Sequence, residues 1–91
     1  MSKSLSENFY FKTSELSLAA TLVYFGFPLD HLEAIGSQQR LSFVFPRKEG
    51  IDNIIQDFWS DNASISPKRY FYILKELKSR IYAERGEYAT D

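Results

Sequence analysis

Cysteine is missing from all 91 residues. That absence removes a disulfide framework, thiolate metal sites and any cysteine nucleophile together. Secreted domains of this size usually depend on such staples, so the expected compartment is the reducing cytoplasm. Histidine is nearly missing too, with a single copy at His31. The 4 glycines are scattered, which leaves no loop able to cradle a phosphate. No apolar run approaches the length of a membrane span. The polar stretch Met1–Asn8 lacks the apolar centre of a signal peptide. An excess of one charge sign is also lacking. The chain carries 11 Lys and Arg against 12 Asp and Glu, a formal net charge of −1, so the overall basic balance typical of nucleic-acid-binding domains is not present.

What the chain has is aromatic bulk. Phe, Trp and Tyr make up 16% of the residues, with 8 Phe and 6 Tyr. Aromatic side chains bury the largest apolar area per residue, enough to give a short chain one well-packed core but not two. The expected organisation is a disordered segment over residues 1–7, one compact domain over 8–86, and a frayed tail over 87–91.

The pattern along the chain predicts six elements. Asn8–Lys12 alternates in strand fashion, with Phe9 and Phe11 on one face and Tyr10 on the other. Thr13 or Ser14 can cap a helix from Leu16 to Phe25 that is apolar around most of its circumference, as buried helices are. Gly26 and Pro28 stop it. Leu29–Ile35 and Arg40–Phe45 read as a hairpin around Gly36–Gln39, with Leu41, Phe43 and Phe45 on one face and Ser42 and Val44 on the other. Ile51, Ile54, Ile55, Phe58 and Trp59 form the stripe of a second helix, with Asp52, Asn53, Gln56 and Asp57 on its wet side. Ser66-Pro67 opens a third helix running to about Glu84 and stopping near Gly86, with Tyr70, Ile73, Leu74, Leu77 and Ile81 facing the core. The order β-α-β-β-α-α predicts an α+β fold, a three-stranded antiparallel sheet with helices packed on one face.

The run Tyr10-Phe11-Lys12-Thr13-Ser14-Glu15-Leu16, followed by Leu18-Ala19-Ala20 and Gly26-Phe27, resembles the opening of a family of small bacterial and phage-associated proteins. Phe43-Val44-Phe45 with Asp57-Phe58-Trp59, and then Lys75 through Tyr82, resemble its second and third signatures. The resemblance covers most of residues 9–82. The family is classed only as a domain of unknown function, so the resemblance implies a fold and no catalytic residue.

The chemistry-bearing residues do not assemble into a catalytic or metal site. His31 lies between Asp30 and Glu33, but one histidine whose neighbour at Asp30 points to the opposite sheet face makes no convergent first shell. Glu49, Asp52, Asp57 and Asp61 surround one short helix and its ends, as a solvated face does, rather than converging across a cleft. Ser14 and Ser66 are explained as caps, and no serine has a nucleophile-elbow context. We therefore expect no catalytic residue, no metal site and no cofactor.

Two surfaces are candidates for binding. On the third helix, Lys68, Lys75 and Tyr72 lie outside the core stripe, and Phe71, Lys78 and Tyr82 lie on its flank. Lys68, Phe71, Lys75, Lys78 and Tyr82 thus interleave basic and aromatic groups in a way that suits a nucleic-acid backbone and its bases. The same lysines would also simply cover apolar surface with their stems. On the sheet, Tyr10, Ser42 and Val44 are expected on the face turned away from the helices, with Arg40–Phe45 at a sheet edge open to pairing with a second copy. Tyr10, Val44, Phe71, Tyr82 and Tyr88 exceed what one sheet–helix layer readily buries, and leftover aromatics mark contact surfaces. The leading expectation is a non-catalytic interaction module that binds a protein partner or itself. The alternative is an accessory nucleic-acid-binding protein using the third helix. No membrane partner is expected.

Overall fold

The computed structural model describes residues 9–36 and 40–85. Residues 1–8, 37–39 and 86–91, Asn8, Gly86 and Tyr88 among them, lie outside the described residues. The order is β1 (Tyr10–Thr13), α1 (Leu16–Tyr24), β2 (His31–Ile35), β3 (Arg40–Pro46), α2 (Ile51–Trp59) and α3 (Pro67–Arg85). This is the expected α+β architecture, β-α-β-β-α-α.

The sheet is antiparallel throughout, but its strand order is β1-β3-β2. β3 is therefore the central strand and not an edge. Phe11 stands opposite Phe45 on one side, and Leu32 opposite Phe43 on the other. The correction has a physical cause. β1 is too short to stand alone and completes its backbone hydrogen bonds on the free side of β3, which the β2 hairpin leaves open. The pairing continues past the strand ends, with the Asp30 N–H donating to the Val44 carbonyl at 2.8 Å and the Arg47 N–H to that of Phe9 at 2.8 Å.

α1 is the centre of the molecule. Leu18, Ala19, Ala20, Thr21 and Leu22 are buried in succession, so every side of this stretch is covered. It packs against β1, α2 and α3. Thr21 keeps its hydroxyl satisfied by donating to the Ser17 carbonyl at 2.8 Å, as a buried polar group must. Around α1 the core gathers Phe43 and Phe45 from β3, Ile51 from α2 and Leu77 from α3. Each such side chain contributes about 1.5–3 kcal/mol relative to exposure.

The helix ends differ in detail from expectation. Glu15 is the capping residue of α1 and makes no side-chain cap bond. The Thr13 hydroxyl instead accepts from the Glu15 N–H at 3.0 Å. Gly26, at φ 96°, turns the chain out of α1 in the left-handed conformation that glycine allows. Gly50 does the same immediately before α2, at φ 94°. Three aromatics expected inside are exposed: Phe9, which precedes β1, Phe25, just past the end of α1, and Trp59, the last residue of α2. Each lies at an element end, beyond the reach of the layer that covers the stripe. Trp59 rests edge-on against Phe58, with ring centroids 4.9 Å apart.

Candidate functional site

The two candidate surfaces fare differently. On the sheet, cross-strand neighbours share a face, so Lys12, Val44 and His31 form one row on the side away from the helix core. Val44 is nonetheless only 1% exposed, and Ser42 is buried with its hydroxyl 3.5 Å from the Thr13 carbonyl. The expectation of Ser42 and Val44 as an open surface is therefore corrected. As residues of the central strand they are flanked on both sides. Lys12 stands opposite Val44 and Glu33 opposite Ser42, and the two close a 3.0 Å ion pair from β1 to β2 across β3. Of Tyr10, Ser42 and Val44, only Tyr10, on the edge strand, presents exposed area.

His31 and Asp30 also depart from expectation. They do not point apart, because Asp30 precedes β2 and escapes strand alternation. Its carboxylate meets His31 Nδ1 at 2.6 Å on the exposed surface. Among the described residues no three His, Asp or Glu side chains group so as to hold a metal ion, and no helix is long and apolar enough to cross a membrane.

The third-helix candidates come together. Lys68, Phe71, Lys75, Lys78 and Tyr82 are all exposed. Their spacing of 3, 4, 3 and 4 residues lays them along one line of α3, since residues three and four apart are neighbours on a helix. At 1.5 Å per residue the line is about 21 Å long. Phe71 is 60% exposed and Tyr82 46%. The Lys75 ammonium lies over the Phe71 ring, 5.6 Å from its centroid. Among the described residues none of the three lysines is in an ion pair. The opposite side of the helix holds α3 in place. Leu77 is buried, and the Tyr70 hydroxyl donates to the Ser17 carbonyl of α1 at 2.8 Å. At the start of α3 the Ser66 N–H donates to the Tyr24 hydroxyl at 2.8 Å, and Arg69 stacks on the Tyr24 ring at 4.5 Å. Arg69 is thereby committed to α1, and the lysine line is left facing outward.

One property of this helix escapes a whole-chain charge count. α3 carries six Lys and Arg against two Glu, a formal +4. The whole chain is −1, which leaves −5 for everything else. The near-neutral total is the sum of a basic helix and an acidic remainder. Counting charge element by element, rather than over the chain, is the signal that reveals it.

Comparison with known proteins adds a family and no activity. No curated protein and no solved structure matches the chain. A family profile matches residues 8–83, from before β1 to within two residues of the end of α3, and the chain belongs to that family, the domain of unknown function DUF5659.

Proposed function

We propose that this domain is a non-catalytic interaction module whose working surface is the outer face of α3. The observation that carries this reading is the line Lys68–Phe71–Lys75–Lys78–Tyr82, which exposes two aromatic rings on a helix already anchored through its other side. Exposed aromatics grouped on one face are characteristic of contact surfaces rather than of cores. The remaining inventory supports a binding role over chemistry. The one histidine is engaged with Asp30 on the surface, and there is no cysteine. The lack of cysteine also supports a cytoplasmic setting.

Self-association by pairing of β3 edges loses its basis, because both edges of β3 are occupied within the chain. The nucleic-acid reading gains from the +4 charge of α3, which answers the objection raised by the net charge of −1.

The test is positional. A photo-reactive phenylalanine analogue placed at Tyr82, and separately at exposed Asp52 on α2, is irradiated in cells that natively carry the gene. Adducts forming at Tyr82 well above those at Asp52 are expected. Equal yields at the two positions would remove α3 as the working surface.

A further inference from the structure

We infer that the outer line of α3 binds single-stranded nucleic acid, with its lysines on phosphates and Phe71 and Tyr82 stacked on bases. This inference rests on the α3 surface proposed above and specifies its ligand.

Three features select this ligand. The first is charge. Within the line itself there are three lysines and no carboxylate, so the surface is complementary to a polyanion along its full length. The second is the alternation of cation and ring. A protein helix seated on the same line would need an apolar seam, with most of the positions spaced 3 and 4 apart being hydrophobic. Here only Phe71 and Tyr82 are hydrophobic, and three of the five positions would press lysines into the seam. A nucleic-acid strand uses the same alternation directly, because its phosphates and base faces recur together. The third is the state of the rings. Phe71 and Tyr82 stand about 16 Å apart along the helix at 1.5 Å per residue, exposed and accessible for stacking. Stacking requires bases that are not already stacked in a duplex. Reading a duplex in its major groove instead places Arg, Lys, Asn or Gln on base edges, while the faces of stacked bases stay closed, so a duplex offers the two exposed rings no partner. Lys75 bridges the two functions. Its ammonium sits 5.6 Å from the Phe71 centroid, so a phosphate met by Lys75 brings the adjoining base within reach of Phe71.

Fluorescence anisotropy with labelled oligothymidylate, oligouridylate and a mixed-sequence DNA duplex tests the inference. Both single strands are expected to bind at low salt, more tightly than the duplex, and the two single-strand arms tell DNA from RNA preference. Affinity should fall with salt with a log–log slope of about −2, from roughly −0.7 for each of three phosphate contacts on a single strand. Phe71→Ala should weaken binding about tenfold. The doubles Lys75→Glu/Lys78→Glu and Arg40→Glu/Lys48→Glu change the net charge equally, at exposed positions. Only the first should abolish binding, with both retaining the wild-type circular dichroism spectrum. No binding by the wild type, equal loss in both doubles, or a duplex preference untouched by Phe71→Ala would each overturn the inference. If oligonucleotides fail while the Tyr82 crosslinker captures a protein, the α3 surface stands and its ligand assignment falls. If Tyr82 and Asp52 crosslink equally, the surface itself falls.

Discussion

Replacing Leu77 with alanine tests the orientation of α3, on which the functional argument depends. Leu77 is the one buried side chain of this helix, 4% exposed, and it belongs to the cluster built around α1. Truncating a buried leucine costs about 2–5 kcal/mol, with the cost set by how far the surroundings close the gap. Its neighbours Ile73, Leu74 and Ile81 are only partly buried, so they are able to shift inward. The expected cost therefore lies in the lower half, about 2–3 kcal/mol. A chain of this length has total stability on the order of 5–14 kcal/mol, so the loss is a substantial fraction. Each kcal/mol moves the midpoint of a domain this small by about 4–8 °C, which predicts a fall of roughly 10–20 °C. Thermal and urea unfolding followed by circular dichroism give the measurement. Phe71→Ala is the matched control, because Phe71 is exposed on another face of the same helix, and surface substitutions usually stay within about 0.5 kcal/mol. A Leu77→Ala midpoint within about 4 °C of wild type, or an equal fall for Phe71→Ala, would mean that α3 presents a different face to the core. The lysine line would then lose its place on the surface.

Val44→Lys should cost at least about 2 kcal/mol in urea unfolding, because it places an ammonium in a buried site beside Lys12 in the same cross-strand row. A change within the ordinary surface range would return Val44 to the solvent. Tyr70→Phe should cost about 0.5–1 kcal/mol, a modest value because the Ser17 carbonyl it frees keeps its bond from the Thr21 hydroxyl. Adding Thr21→Val should then cost more than it does alone, since the double variant leaves that carbonyl without a side-chain donor. Strict additivity in the cycle would show that the two hydroxyls do not share their acceptor.

The helices were legible because each writes its burial into a periodic stripe. Ile51, Ile54, Ile55 and Phe58 identify α2, and the pair Ser66-Pro67 marks the start of α3. The near-continuous apolar stretch of α1 announced its central position in the same way. Strand order was not legible. Alternation of Leu41, Phe43 and Phe45 with Ser42 and Val44 is the same whether a strand is central or at an edge, because it reports faces and not neighbours. A hint was present in β3, which at seven residues is the longest strand and carries Val44 between two phenylalanines. A strand covered on both faces tends toward such runs. The exposed Phe9, Phe25 and Trp59 were misplaced because periodicity does not tell where the covering layer ends. The α3 line followed from helical geometry alone, whereas its charge was masked by the acidic remainder of the chain.

The burial of α1 on all sides has a consequence for how the protein is made. Its apolar surface emerges from the ribosome early, before β2, β3, α2 and α3 that cover it. The end of α3 lies 61 positions beyond the end of α1, and at roughly 5–20 residues per second its synthesis takes on the order of 3–12 s more. Throughout that interval Leu18 and Leu22 lack the partners that enclose them in the finished fold. Chains cut short before α3, by a nonsense codon or a stalled ribosome, would carry an uncovered apolar helix and be natural substrates for chaperones and proteases. The proposed interaction surface is thus built on the last of the six described elements to arrive, and a nascent chain cannot display it in its native setting until the core beneath it closes.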